Sequence, residues 1–210
     1  SKILRTPDER FQNLPDYDFK PHYVEIEKGL RMHYVEEGKK NKPTVVLLHG
    51  QPSWSYLYRK MIPVLAKGNH VVAPDMIGFG RSDKYAARSD YTYANHVEWM
   101  TAFFKKMKLK NATLVVHDWG GLIGLRVLAN HPEWFSRLVV LNTSFNIGED
   151  YAEFTERYKE GLKRWEDHLA TAKDIKFGPA VQANVLRQLT PAELVAYDEP
   201  FGDNALTQGA

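Results

Sequence analysis

Cysteine is absent from the chain. That excludes disulfides, thiol nucleophiles and thiolate metal sites, and says little about compartment. Blocks of like charge are missing too. Lys and Arg number 28 against 26 Asp and Glu, a net charge of +2 that does not suggest a nucleic-acid partner. The Lys39-Lys40 and Lys105-Lys106 pairs read as solvated surface. No run approaches the ~18 apolar residues of a membrane helix, and no signal peptide is visible. A start at Ser1 stays compatible with a removed leader. No His or carboxylate cluster has ligand spacing, and Gly78-Phe-Gly80 is too short for a dinucleotide fingerprint. No metal, cofactor, nucleic acid or membrane is therefore expected. What is there is 210 residues, 43% of them hydrophobic, enough for a sizeable core in one large domain or a domain with an insertion.

Two patterns of strand are legible. His22-Tyr-Val-Glu-Ile-Glu27 and Leu30-Arg-Met-His-Tyr-Val35 alternate apolar and polar residues around Lys28-Gly29, a hairpin. Before them, the polar stretch Ser1 to Pro21 reads as an extended arm. Thr44–Leu48, His70–Pro74, Thr113–Val116 and Arg137–Leu141 are instead apolar runs, the pattern of strands covered on both faces in a parallel sheet. Between them, Ser55 to Ala66 has helical spacing, interrupted by Pro63, and Asn95 to Met107 is an aromatic-rich helix. Strands alternating with helices predict α/β with a mostly parallel sheet, whose sites lie at the carboxyl ends of the strands. His49, Asp75, Asp118 and Asn142 all fall there. Residues 1–143 read as the core and 144–210 as a helical region, with patches at Ala152–His168 and Pro191–Tyr197. Tyr151, Phe154, Tyr158, Leu162 and Trp165 recur three and four apart, one apolar face of a helix. That face either packs on the core or caps the mouth of the sheet.

The stretch Thr113-Leu-Val-Val-His-Asp118-Trp-Gly-Gly121 organises the rest. An apolar run stops at His-Asp-Trp, and two glycines permit a sharp turn from strand into helix. Asp118 sits at the tip of that turn, where an Asp either caps the helix or serves as the nucleophile of a strand–turn–helix elbow. Gln51 likewise is either a turn residue before Pro52 or part of a site.

Val45-Val-Leu-Leu-His-Gly-Gln-Pro-Ser-Trp-Ser-Tyr-Leu-Tyr-Arg59, Pro74-Asp-Met-Ile-Gly-Phe-Gly-Arg-Ser-Asp-Lys84 and Val115-Val-His-Asp-Trp-Gly-Gly121 together resemble the haloalkane dehalogenases of the α/β-hydrolase fold, the branch with two halide-binding tryptophans. The similarity runs from about Tyr23 to the last residue. It implies an α/β-hydrolase core with an N-terminal hairpin and a helical cap. It also implies a halogenated alkane and water as reactants, halide as product, and a cytoplasmic bacterial enzyme. Asp118 would form an alkyl ester, Trp119, Trp165 and Gln51 would hold the halide, and the backbone N–H groups of Gln51 and Trp119 would form the oxyanion hole. The chemistry fits those residue types. Displacement at carbon needs an anionic nucleophile, and an indole N–H is a donor that cannot ionise.

In this family the acid and the water-activating His follow the nucleophile in chain order. Here the sequence reaches Gly209-Ala210 without either strand that would carry them. His22, His33, His49, His70, His96, His117, His131 and His168 all fall at other places. The expectation is an N-terminal part of a dehalogenase that at best turns over once, either continued outside this sequence or completed by a second polypeptide. Two other readings remain at this stage. An epoxide hydrolase would use the same Asp with Tyr151, Tyr158 or Tyr197 as proton donors, and a non-catalytic binding module would need no His.

Overall fold

The computed structural model describes residues 1–144, 156–171, 175–202 and 204–210. Chain order gives eight strands: β1 (Ile3–Leu4), β2 (His22–Glu27), β3 (Leu30–Glu37), β4 (Thr44–Leu48), β5 (His70–Pro74), β6 (Lys84–Tyr85), β7 (Ala112–His117) and β8 (Phe135–Leu141). Six of them form one sheet in the order β2-β3-β5-β4-β7-β8. The hairpin pairs are antiparallel, β3 joins β5 antiparallel, and β5-β4-β7-β8 run parallel. This is the mostly parallel α/β sheet expected from the apolar runs. Gly29, at φ 79°, makes the hairpin turn with no side chain to clash.

Helices cover the sheet where their apolar faces require it. α2 (Tyr93–Met107) starts at Thr92, whose Oγ1 accepts the Asn95 N–H at 3.1 Å. Its Val97, Met100, Phe103 and Phe104 are buried at helical spacing and join Leu48, Val72, Leu114 and Val116 in one core cluster. α3 (Trp119–Asn130) packs closely on the sheet because Gly124 meets Leu48 and Val116 where a Cβ would crowd both.

Two expectations are corrected. The stretch Ser55–Ala66 is not one helix: a 3-10 turn at Ser55–Tyr58 is followed by the short α1 (Met61–Leu65). Pro63 cannot donate inside a longer helix, and Tyr56 and Tyr58 turn inward to be buried. β8 is apolar but not covered. Leu138, Val139 and Val140 are each 41% exposed, because among the described residues β8 has a strand neighbour on one side only.

The remaining helices are α4 (Glu156–Thr171), α5 (Phe177–Ala183) and α6 (Pro191–Asp198). Glu193 completes a capping box with Thr190 at the start of α6 and receives the buried Arg59 guanidinium at 2.6 Å. Its charge is thereby shared between a helix N-terminus, the buried Arg59 and the half-exposed Arg187 at 2.8 Å, and the buried pair is costly to break. The N-terminal arm straps this region to the core. Arg5 pairs with buried Asp83 at 3.0 Å, Thr6 Oγ1 donates to the Pro200 carbonyl at 2.5 Å, and Arg10 Nε donates to the Glu199 carbonyl at 2.8 Å. Tyr151 and Phe154 lie outside the described residues, as does the Tyr158 side chain.

Candidate active site

The carboxyl end of β7 turns into α3 through Asp118, at φ 52° and ψ −128°. A non-glycine residue at positive φ is strained, and such strain persists only where neighbours hold it. The neighbours are specific. The Asp118 N–H donates to the Asn142 carbonyl at 3.1 Å, and the Asp118 carbonyl accepts from Gly121 N at 2.8 Å and Thr143 Oγ1 at 2.7 Å. Gly120 passes so close to the carbonyls of Leu48 and His49 that any Cβ would overlap them. The two glycines of the sequence motif are thus required by packing as well as by the turn.

Asp118 occupies the N-cap position of α3, yet its side chain makes no cap hydrogen bond. Its Oδ1 instead accepts the backbone N–H of Gln51 at 2.9 Å. Of the two roles open to Asp118 in the sequence, helix capping is the one its side chain does not perform. Gly50 permits this approach, since a Cβ there would run into the Asp118 carboxyl.

The loop carrying Gln51 is fixed from beneath by His49. Burial pushes the His49 imidazole down, so the ring is neutral. Its Nδ1–H donates to the Gly50 carbonyl at 2.9 Å, and Nε2 accepts from Met76 N at 3.0 Å. That arrangement spends both ring nitrogens on backbone. Asp75, at the end of β5, is wholly buried. Its carboxyl accepts from Ser55 N at 2.7 Å, His33 Nδ1 at 2.7 Å and Arg81 N at 2.9 Å. Burial opposes its ionisation, but His33 and the Arg81 N–H outweigh this and hold the carboxyl down at about 2.

A cavity of about 250 Å³ opens beside the elbow. Gly50, Gln51, Tyr91, Tyr93, His96, Trp119 and Ile123 are among the residues that line it. The Trp119 side chain is 42% exposed, a large aromatic left uncovered where the cavity runs. Tyr91 and Tyr93 already donate their hydroxyls to the Tyr85 and Leu122 carbonyls. Burial pushes His96 down to about 4, leaving it neutral.

The structure therefore brings Asp118, Gln51 and Trp119 together. Trp165 is placed elsewhere: on α4, half-buried against the core cluster and stacked on His168, with no share in the wall of this cavity. Helical spacing identified its face but not its neighbour. Tyr197 is likewise remote from the cavity wall, buried against Tyr56 with its hydroxyl near Arg59. The wall residues Tyr91, Tyr93 and His96 escaped sequence reasoning, which offered only the aromatic enrichment around the start of α2. Among the described residues no group of three His or acidic side chains could hold a metal ion. No helix there is long and apolar enough to cross a membrane.

Similarity to known proteins agrees with this geometry. Residues 43–192 match the alpha/beta hydrolase fold family. A haloalkane dehalogenase of Psychrobacter cryohalolentis is 45% identical over all of this chain, which covers 69% of that relative. One from Mycobacterium marinum is 46% identical over 99% of this chain and 70% of its own length. The tetrameric haloalkane dehalogenase of Paraglaciecola agarilytica superposes with a TM-score of 0.90 at 38% identity, covering all of this chain and 69% of that one. The arm before Tyr23 falls within these matches, so the likeness extends further than the sequence motifs indicate. With the elbow, the donor at Gln51 and these relatives in agreement, the chain belongs to the haloalkane dehalogenases, hydrolases of carbon–halogen bonds built on the α/β-hydrolase fold.

Proposed function

We propose that Asp118 is the nucleophile, attacking the carbon of a small haloalkane to give an aspartyl alkyl ester and a halide ion. Hydrolysis of the ester would release a primary alcohol. The observation that carries this reading is the Gln51 N–H on Asp118 Oδ1. That bond orients one oxygen of the carboxylate. Trp119 is the first halide donor, because it lines the cavity beside the elbow. Gln51, which lines the same cavity, would contact the halide as well. For Trp165 the halide role rests on the family resemblance alone. The backbone N–H groups of Gln51 and Trp119 would take up the oxyanion that develops when the ester is attacked.

Alkyl transfer needs no base, whereas ester hydrolysis does. Among the described residues no histidine bonds to Asp118, and His49 is committed to Gly50 and Met76. The chain by itself should therefore accumulate ester. Incubation with 1-bromobutane and intact-mass measurement should show one butyl adduct per chain, absent in Asp118→Ala. No adduct on the wild type would overturn the assignment of the nucleophile. Release of many equivalents of bromide would overturn the single-turnover expectation and leave the nucleophile standing.

A further inference from the structure

Thr143 follows β8 and is half-buried, and nothing in the reaction itself calls for a threonine there. Its hydroxyl nevertheless donates to the Asp118 carbonyl at 2.7 Å, beside the Gly121 N–H at 2.8 Å. One oxygen at the tip of the elbow thus has two fixed donors. Two features let the hydroxyl reach it. Gly121 has no Cβ, and one there would overlap Thr143 Oγ1. Asn142 sits at φ 36°, turning the chain after β8 so that its own carbonyl accepts the Asp118 N–H while Thr143 comes round to the Asp118 carbonyl.

The consequence follows from peptide geometry. The Asp118–Trp119 peptide is planar and trans, so its C=O and N–H point in opposite directions. Whatever fixes the Asp118 oxygen also fixes the Trp119 N–H on the other side of the same plane. We infer that Thr143 is a positioning residue for the oxyanion hole: its hydroxyl holds the Asp118–Trp119 peptide so that the Trp119 N–H meets the oxygen of the Asp118 ester. The inference rests on the reading of Trp119 N–H as an oxyanion donor. A preset donor stabilises developing charge without reorganising at that moment. One free to rock loses part of the effect. The Gly121 N–H cannot replace the hydroxyl, since it already bonds the same carbonyl.

The test uses hydroxylamine, which cleaves an ester without help from a protein base. Its nitrogen attacks Asp118 Cγ, the Cγ–O bond to the butyl oxygen breaks, and butanol leaves with a proton from water. A hydroxamate remains at position 118, visible by intact mass. After alkylation with 1-bromobutane, Thr143→Val and Thr143→Ala should form hydroxamate about ten-fold more slowly than the wild type, and Thr143→Ser within about two-fold of it. The same esters unfolded in urea should all react at one rate. A variant that merely loosened the fold would not spare Thr143→Ser in this way, nor lose ester cleavage more than alkylation. Equal native rates for the wild type, Thr143→Val and Thr143→Ala would overturn the inference.

A second measurement needs no chemistry. Exchange of the Trp119 backbone amide, followed by ¹H–¹⁵N spectra, should quicken about ten-fold in Thr143→Val and Thr143→Ala but not in Thr143→Ser. Absence of any adduct on the wild type would sink the nucleophile assignment. The amide measurement would then decide Thr143 alone, and an unchanged exchange rate would overturn it.

Discussion

Two aspartates end neighbouring parts of the same sheet, and they have opposite fates. Asp75, after β5, has no exposed surface and three donors on its two oxygens. Asp118, after β7, is half-buried, and its Oδ1 accepts the Gln51 N–H. A fully buried carboxylate held by three donors is a poor nucleophile and a good brace. Asp75 ties the hairpin at His33, the turn at Ser55 and the glycine loop at Arg81 into one unit. Residue type and position at the end of a strand therefore do not separate a brace from the nucleophile we propose at Asp118. Complete burial and three donors are what mark Asp75 as the brace.

The comparison breaks most easily at Asp75. Asp75→Asn removes the charge and turns a donor toward at least one donor already present, leaving buried N–H groups unpaired. It should cost about 4 kcal/mol of stability, read from the urea midpoint at pH 7. Asp118→Asn, at a strained and half-exposed position, should shift the same midpoint by less than about 1 kcal/mol while abolishing the butyl adduct. Equal stability losses at the two sites would show that Asp118 braces as well.

Acid sharpens the contrast, because Asp75 and His96 titrate in separate windows. Burial pushes His96 down to about 4, so the unfolded chain binds its proton near the ordinary value of 6.5 while the folded chain does not. Stability present above pH 6.5 is therefore lost as pH falls toward 4, by about 3 kcal/mol for this one group. His33 and His49, also pushed down by burial, act in the same sense. For Asp75 the ordinary value is the higher one, 3.8 against about 2, so its contribution of about 2 kcal/mol is lost only between those values. In His96→Phe the difference between urea midpoints at pH 7.5 and pH 4.5 should shrink by about 2 kcal/mol. An unchanged difference would mean that His96 is already charged in the folded protein.

The sequence revealed what depends on nearest neighbours along the chain. Apolar runs at Thr44–Leu48 and His70–Pro74 announced strands covered on both faces, and both are buried almost throughout. The elbow was legible because two adjacent glycines after an apolar run have few other uses. What was hidden depends on residues brought together from a distance. Nothing about Asp75 alone shows that His33, 42 positions before it, and Ser55, 20 before it, would converge on its carboxyl. Thr143, 25 residues beyond Asp118, was hidden for the same reason. Trp165 shows the converse limit: its spacing defined an apolar face, and only the packing shows that Trp165 itself meets the core. The Ser55–Ala66 helix is shortened to Met61–Leu65, as Pro63 allowed, and its first turn is 3-10: helical spacing cannot tell an α-helix from aromatic residues folded inward one by one.

The smallest effect concerns the sheet itself. Val115 on β7 and Val139 on β8 are partners in the parallel ladder, yet Val115 is 5% exposed and Val139 41%. Valine and threonine have the same shape, so Val→Thr at each position measures how costly a hydroxyl is there. At 115 the hydroxyl enters a dry core and should cost about 2 kcal/mol. At 139 it can reach water and should cost less than about 0.5 kcal/mol. Among the described residues β8 is an edge strand with bare valines, and such an edge invites association between chains. Val139→Lys should therefore raise the concentration at which the chain aggregates, measured by light scattering, with little change in the urea midpoint. Equal costs for threonine at 115 and 139 would mean that β8 is covered in solution by a neighbour, and that the two strands of the pair are alike after all.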